Sequence, residues 1–405
     1  MKRGTIELVP DASNCSGCGA CVLACPKGAI AMQPAPNGVV YPVIERAVCV
    51  ECGQCVQQCT YRRQPELQKP QTAFAAVAGD AELVRKSASG GMFAALAKSW
   101  MANGGLIAGA VLDCSQGVKV YHILTDRLED LERIQGSKYV QSDAWRCFGD
   151  VRNALNAGRQ VLFSGTPCQV AAMKALTGNH EGLTTIDLIC HGVPSAKMLE
   201  DYFDILNHRF HGKIDTFQFR DKTMNRRFSA SFDVRYGKKR RRYYLRSHEL
   251  SFYKYFLAGA NYRENCYSCP YAQLERVSDL TIGDYWGIDK RHGADIAAGR
   301  MPKAADWSCV LVNTDKGRRL LDAHAQQILL YPSRPDWVAQ ENHQLQHPTV
   351  RPEGRAELMK RYEQGGYRAV EAAFIQERGG WLKYHFRLVK ALYSNYRQVQ
   401  KQKSK

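Results

Sequence analysis

The sequence has no run of roughly 18 or more apolar residues, the length a membrane-crossing helix requires. Its opening, MKRGTIELVP, lacks the apolar core of a secretory signal, so a cytoplasmic location is expected. No GxGxxG occurs, and a standard Rossmann nucleotide site loses its usual signature. Acidic residues are comparatively scarce: 39 against 56 lysines and arginines, a formal charge of +17 over 405 residues. Such a balance favours anionic partners. A chain of this length is expected to form two or three domains with a sizeable core.

Cysteine, by contrast, is abundant, with fifteen in the chain. A reducing compartment disfavours disulfides, and clustered CxxC spacing there points to metal or cluster ligation. CSGCGACVLACP begins at Cys15, and a near copy, CVECGQCVQQCT, begins at Cys49. Each run is C-x2-C-x2-C-x3-C. In the two-cluster bacterial ferredoxin pattern the fourth cysteine serves the other cluster. This assigns Cys15, Cys18, Cys21 and Cys59 to one [4Fe-4S] cubane, and Cys49, Cys52, Cys55 and Cys25 to a second. Three cysteines in one tight loop wrap three corners of a cube, and Gly17, Gly19 and Gly53 let backbone amides approach the sulfurs. Zinc knuckles are the competing reading, but they use two CxxC pairs and have no need of the third step. Thr60 stands where a proline usually follows the last cysteine, and no ligand is lost by it. Alone, such a module carries single electrons and does no substrate chemistry.

The expected organisation is a ferredoxin-type domain over 1–65, a linker over 66–72, a core over 73–345 and a basic helical extension over 346–405. The fold class is α+β, with the ferredoxin domain preceding a mixed α/β core. PAPNGVVYPVIE (34–45) reads as a hairpin turning at Asn37-Gly38. RRQPELQKPQ (62–71) is polar, has two prolines and reads as a linker. Beyond it strands alternate with helices: 74–79 and 106–113 as strands, 91–102 as a helix, then 161–165 and 184–190 as strands, each followed by a helix start. Residues 214–246 are richer in strand patterns, 280–287 is another strand, and 381–405 is a basic amphipathic helix.

Further cysteines lie in the core. GTPCQVAAMKAL follows a strand, with Thr166 as helix cap, Pro167 in the first position and Cys168 in the first turn, where the helix dipole favours a thiolate. Cys190 ends the next strand, and CYSCPY supplies Cys266 and Cys269. Buried inert cysteines are one reading. The other is a third cluster held at the carboxyl ends of strands, where α/β sheets hold cofactors. Cys114, Cys147 and Cys309 have no partner spacing and read as core. Three oxidised cubanes at about −2 each would lower the net charge to roughly +11, still basic.

SASGGMFAAL (87–96), GSKYVQSD (136–143), LFSGTPCQVAAMK (162–174), DLICHGVPS (187–195) and the run from Cys266 through SDLTIGDYWG (278–287) resemble the coenzyme F420 hydrogenase/dehydrogenase beta-subunit family. The resemblance spans roughly residues 74–310, and many members also carry a ferredoxin segment. The family includes flavin-containing subunits of deazaflavin-reducing hydrogenases, a 7-hydroxymethyl chlorophyll a reductase, and bacterial members near polysaccharide-synthesis genes. The resemblance implies a flavin-binding core, FAD, and a cubane held by Cys168, Cys190, Cys266 and Cys269. It also implies hydride or electron exchange at the flavin, and it leaves the substrate open.

Ser87, Ser89, Gly90 and Gly91 precede a helix and form either an anion site for a pyrophosphate or an ordinary glycine-rich cap. Gly136, Ser137, Lys138 and Tyr139 offer a second polar loop, and Thr166 joins these as a cofactor-binding candidate. Lys138 pairs with a phosphate, sits near the flavin ring, or is simply solvated. His191 is a candidate proton donor, a partner for a cluster sulfur, or a loop cap. Asp284 and Trp286 either pack beside the cofactor or serve the fold. RYGKKRRRYYLRS (235–247) and FRDKTMNRR (219–227) suit an anionic small-molecule substrate or a redox partner, and nucleic acid is not expected. The terminal helix is free to touch a membrane surface or a partner protein.

The expected activity is that of an iron–sulfur flavoprotein oxidoreductase. It would pass electrons between a ferredoxin or hydrogenase-like subunit and an organic substrate, in either direction. A non-catalytic electron-transfer subunit of a larger redox complex or polysaccharide-modification system is the alternative.

Overall fold

The computed structural model describes residues 7–224, 228–303 and 306–403. Part of the expected basic stretch 219–227, namely Asn225, Arg226 and Arg227, lies outside them.

The cysteine-rich segment has two short helices, α1 (Ala20–Leu23) and α2 (Gln54–Gln57), each entered through a left-handed glycine, Gly19 and Gly53, both at φ 76°. Between them, β1 (Ile30–Pro34) and β2 (Val40–Ile44) form an antiparallel hairpin pairing Pro34 with Val40. The turn therefore runs over five residues, 35–39, and is longer than a two-residue Asn-Gly turn. Asn37 still serves it, its side-chain oxygen accepting from the Val39 amide at 3.1 Å. The expected linker is tied to the core: Gln68 exchanges backbone hydrogen bonds with Arg276 at 2.7 and 2.8 Å.

The core holds an eight-stranded sheet made of β3 (Thr72–Ala78), β4 (Leu106–Asp113), β5 (Lys119–Thr125), β6 (Val161–Gly165), β7 (Leu183–Leu188), β11 (Leu280–Asp284), β12 (Ser308–Val312) and β13 (Ile328–Ser333). Its order is β13-β3-β12-β11-β7-β6-β4-β5. β11, β7, β6 and β4 run parallel, and the β5, β12 and β13 pairings are antiparallel. β3 points the same way as β11, since both are antiparallel to β12. Five strands thus end on one edge of the sheet, where ligands of open α/β sheets gather.

Alternation along the strands sends side chains to both faces, as expected for a sheet covered on both sides. Ile107, Leu162, Ile186 and Leu280 pack under α4 (Met92–Ala102), α5 (Leu128–Ile134) and α11 (Asp315–Ala323). Val161 and Phe163 face α6 (Trp145–Asn156) and α7 (Pro167–Thr177). α10 (Ile288–Ala297) and α12 (Pro335–Glu341) complete this layer, and α3 (Ala81–Lys86) lies against the opposite one through Leu83.

A second sheet has the order β10-β9-β8, from β8 (Lys213–Gln218), β9 (Ser229–Tyr236) and β10 (Lys239–Arg246). It shares an aromatic core with α8 (Ala196–Arg209), α9 (Ser251–Leu257), α13 (Arg355–Glu377) and α14 (Trp381–Lys403). Cys114, Cys147 and Cys309 are buried in hydrophobic clusters, as their lack of partner spacing implied.

Candidate metal centre

The duplicated loops bring their cysteines together crosswise. The thiol of Cys21 lies within electrostatic range of Cys18, Cys15 and Cys59 and, more weakly, of Cys55, and that of Cys15 within range of Cys18 and Cys59. Cys55 is coupled instead to Cys52 and Cys25. Cys25, Cys49, Cys52 and Cys55 line one cavity floored by Ile30 and Ile44. Among the described residues no three Cys, His, Asp or Glu side chains close around a single ion. A cubane takes a more widely spaced set, because its iron–sulfur core lies between the four ligands.

The later cysteines converge from three segments. Thr166 and Gln169 form a capping box at the start of α7, with Pro167 in the first position. This places Cys168 at the strand-end edge, with the Thr166 hydroxyl 3.2 Å from its sulfur. Cys190 follows β7. Cys266 lies in a 3-10 turn, Glu264–Ser268, with Cys269 just beyond it. The Cys190 thiol is in range of Cys266, Cys168 and Cys269. Behind Cys269, Arg276 pairs with Asp187 of β7 at 3.1 Å, both side chains fully buried. Arg276 also donates to the Tyr271 carbonyl at 3.0 Å, so it ties the end of the CYSCPY segment to β7, the strand that precedes Cys190.

Burial dominates the protonation of these sulfurs. It pushes the thiols of Cys15, Cys18, Cys168, Cys266 and Cys269 up to about 11, and Cys190 well above its usual value. The helix dipole expected to favour a Cys168 thiolate is outweighed there. Buried thiols of this kind ionise only when a cation compensates them, and a ferric–ferrous core meets that requirement. The donor set of four sulfurs in each group fits a [4Fe-4S] cluster.

The two regions meet through residues the sequence reading did not single out. Ser16 lies close to the sulfurs of both Cys18 and Cys168, and its hydroxyl lowers the pKa of each. Arg263 is 1% exposed, and its guanidinium lies in range of Cys15, Cys168 and Cys266. It donates to the Cys15 carbonyl at 3.1 Å, the Val40 carbonyl at 3.2 Å and the Gln141 side chain at 2.7 Å. Among the described residues it has no carboxylate partner within salt-bridge distance. A buried unpaired cation is costly, and the nearby sulfurs are the anions available to it. Tyr61 lies in range of Cys269 and Cys168, and Tyr271 in range of Cys168 and Cys18.

The expected flavin residues occupy the same edge with their polar groups already engaged. Ser89 donates to the Trp307 carbonyl at 2.9 Å, and the Ser87 hydroxyl accepts from Gln135 at 3.1 Å. The Gly90 amide donates to Ser308 at 2.9 Å, and an added Cβ there would meet the Ala76 carbonyl at 2.6 Å. Gly91, at φ 81°, enters α4 with no capping side chain. The Lys138 ammonium donates to the carbonyls of Arg133, Ile134 and Gln135, so it closes the end of α5. Burial pulls its pKa down to about 7. Gly136 is left-handed at φ 79°, and Tyr139 stacks on Phe256 at 4.2 Å. Ser137 makes no side-chain hydrogen bond among the described residues. Arg220 pairs with Asp284 at 2.9 Å and donates to the Ala88 carbonyl, and Lys222 donates to the Ser89 carbonyl at 2.6 Å. These two cations, from the expected basic stretch, strap the SASGG loop. Trp286 stacks on Phe228. His191 is solvent-exposed, and the protein packed around its ring lowers its pKa, with Asp284 opposing that effect.

The cationic hairpin is partly neutralised. Arg242 pairs with Asp233 at 2.8 Å, and Arg240 pairs with Asp215.

Fold and site together define an iron–sulfur electron-transfer protein with a dicluster head on a mixed α/β core. Residues 14–62 match the 4Fe-4S dicluster domain, and residues 158–335 match the C-terminal part of the beta subunit in coenzyme F420 hydrogenase/dehydrogenase. Over that C-terminal stretch, which is less than half of the 405 residues, the chain is similar to that beta-subunit family. An uncharacterized protein of Methanocaldococcus jannaschii, MJ1349, is 26% identical over 211 residues, which are 44% of this chain and 56% of that protein. The match therefore spans little more than half of that relative. A chain of the F420-reducing [NiFe] hydrogenase complex from Methanosarcina barkeri overlays with a TM-score of 0.42 and 17% identity, covering 75% of this chain and 96% of that one. This likeness is too weak to carry an argument. No described helix is long and apolar enough to cross a membrane.

Proposed function

We propose that the protein is a flavin-dependent iron–sulfur oxidoreductase that exchanges electrons between a ferredoxin-type partner and an anionic organic substrate. The observation that carries this reading is the convergence of Cys168, Cys190, Cys266 and Cys269 beside Cys18 of the dicluster head, with Ser16 close to both Cys18 and Cys168. In this reading those four thiols hold a third cubane, and one-electron carriers lie within a short path of one another. Clusters supply single-electron transfer, and FAD supplies the pairing of electrons that an organic substrate needs.

FAD rests on the similarity to that family together with the uncapped start of α4. The chain's own residues divide the work there. Backbone amides at the α4 N-terminus would meet the pyrophosphate. Arg220 and Lys222 would hold the SASGG loop in place around it, and His191 would exchange a proton from its solvent-exposed position. Lys138, Ser87 and Ser89 would support the loop through the bonds already described.

Anaerobically purified protein should carry about twelve irons per chain, four for each cubane, and show flavin absorbance. Cys190→Ser should lower the iron to about eight while leaving the dicluster signals. About eight irons in the parent protein, with no flavin, would overturn the reading. Full cofactor loading with turnover only in the presence of a second subunit would favour the non-catalytic alternative.

A further inference from the structure

We infer that α14 is a membrane-surface element that lays the protein flat on anionic lipid. One side of the helix is committed to the fold. Tyr384, Leu388 and Val399 are buried, and Asn395 donates to the Tyr244 carbonyl of β10 at 3.0 Å. The other side is apolar and open. Leu382, Phe386, Val389, Tyr393 and Tyr396 follow one another at steps of three and four, which sets them in a single stripe. With Trp381 they are between 49% and 77% exposed. These six make up nearly half of the fourteen large exposed apolar side chains among the described residues, so the patch is a concentration and not the normal scatter.

The charges beside the stripe say what covers it. From Trp381 to the last residue there is no aspartate or glutamate. Lys383, Arg387, Lys390, Arg397 and Lys401 follow one flank of the stripe at helical spacing. Among the described residues none of them pairs with a carboxylate. A second copy of this face would bring cation against cation. An anionic bilayer satisfies both features, since the stripe enters the boundary between headgroups and acyl chains while the flanking cations meet lipid phosphates. Trp381, Tyr393 and Tyr396 are the side chains favoured at that boundary. The docked opposite side holds the helix parallel to the body, so it lies on the surface and does not span.

Full-length holoprotein should co-sediment with vesicles containing phosphatidylglycerol and much more weakly with pure phosphatidylcholine, with binding falling as salt is raised. Each cation contributes about fivefold at such a surface, so K383Q/R387Q/K390Q should weaken binding on the order of a hundredfold. F386S/V389S, at exposed positions, should weaken it at least tenfold with cluster absorbance unchanged. Trp381 fluorescence should shift blue on anionic vesicles. Absence of binding by the parent protein at low salt would overturn the inference. Equal binding to neutral vesicles would also overturn it, as would a concentration-dependent dimer that F386S/V389S dissolves.

Discussion

Arg263 is a cation enclosed by sulfur ligands and backbone carbonyls, and its value to the protein depends on what those sulfurs hold. If two clusters flank it, its charge stabilises their reduced forms. Arg263→Met should then shift a cluster midpoint to lower potential by on the order of 100 mV, read in an anaerobic redox titration followed by electron paramagnetic resonance. An unchanged midpoint in a protein that retains its iron would remove Arg263 from the electron path. Spacing could not reveal this residue, because it meets Cys15 and Cys168 only through tertiary packing. Its place three residues before Cys266 was the sole local hint. Lys138 shows the reverse case. A lysine in a polar loop invites a phosphate, yet the loop follows a helix, and lysines near a helix end commonly satisfy its last carbonyls.

His122 of β5 is a second residue whose environment decides its behaviour. It is buried, stacks on Phe163 and lies 3.0 Å from both the Ser164 carbonyl and the Ser142 hydroxyl. Burial lowers its pKa from 6.5 to about 4. The unfolded chain therefore binds the extra proton first. The stabilisation is fully present above about pH 6.5 and is lost as pH falls towards 4, reaching about 3 kcal/mol there. Thermal melts should show the midpoint dropping across that window, and His122→Gln should flatten part of the slope. A variant with the parent's slope would mean that other groups control it.

At the scale of elements, the duplicated loops are equal in sequence pattern and unequal in surroundings. Gly19 and Gly53 share the same left-handed φ, so alanine at either strains the backbone by about 1–2 kcal/mol. At Gly53 an added Cβ meets nothing within 4 Å, whereas at Gly19 it would lie 2.3 Å from the Trp145 Cβ of α6. Gly19→Ala should therefore destabilise the protein several-fold more than Gly53→Ala in denaturant titrations. Equal losses would show that the head does not press on the core there.

The Arg276–Asp187 pair works at the same scale. Removing one partner leaves a buried charge alone, so Arg276→Met should cost about 3–5 kcal/mol, seen as a lower denaturation midpoint and as iron lost from the core set first. Local signals announced most elements, because caps, glycines and alternating apolar runs act over a few residues. Thr166-Pro167 opened α7 as expected, and residues 106–113 form a strand over those bounds. Pairing across distance was not legible. The peptide expected as a tether instead forms a bridge to Arg276, because nothing within 62–71 encodes its distant partner.

For the whole molecule, the clustering of cysteines was readable and the packing between the clusters of them was not. Repeating CxxC steps declare their chemistry locally, and the parallel strand ends place Cys168 and Cys190 where such sheets hold cofactors. Which half of the head would touch the core had no trace in a near-symmetric repeat. The structure breaks that symmetry: Cys18 and Cys59 face inward, while Cys52 is exposed at the outer group.

That outward Cys52 makes the head vulnerable from one side. If clusters fill all three cysteine groups, dioxygen in air would reach the one at Cys52 long before the others, so bleaching should proceed in stages and pause with most of the iron still in place. A protein left in that half-stripped state would keep its buried clusters and lose the one nearest the surface.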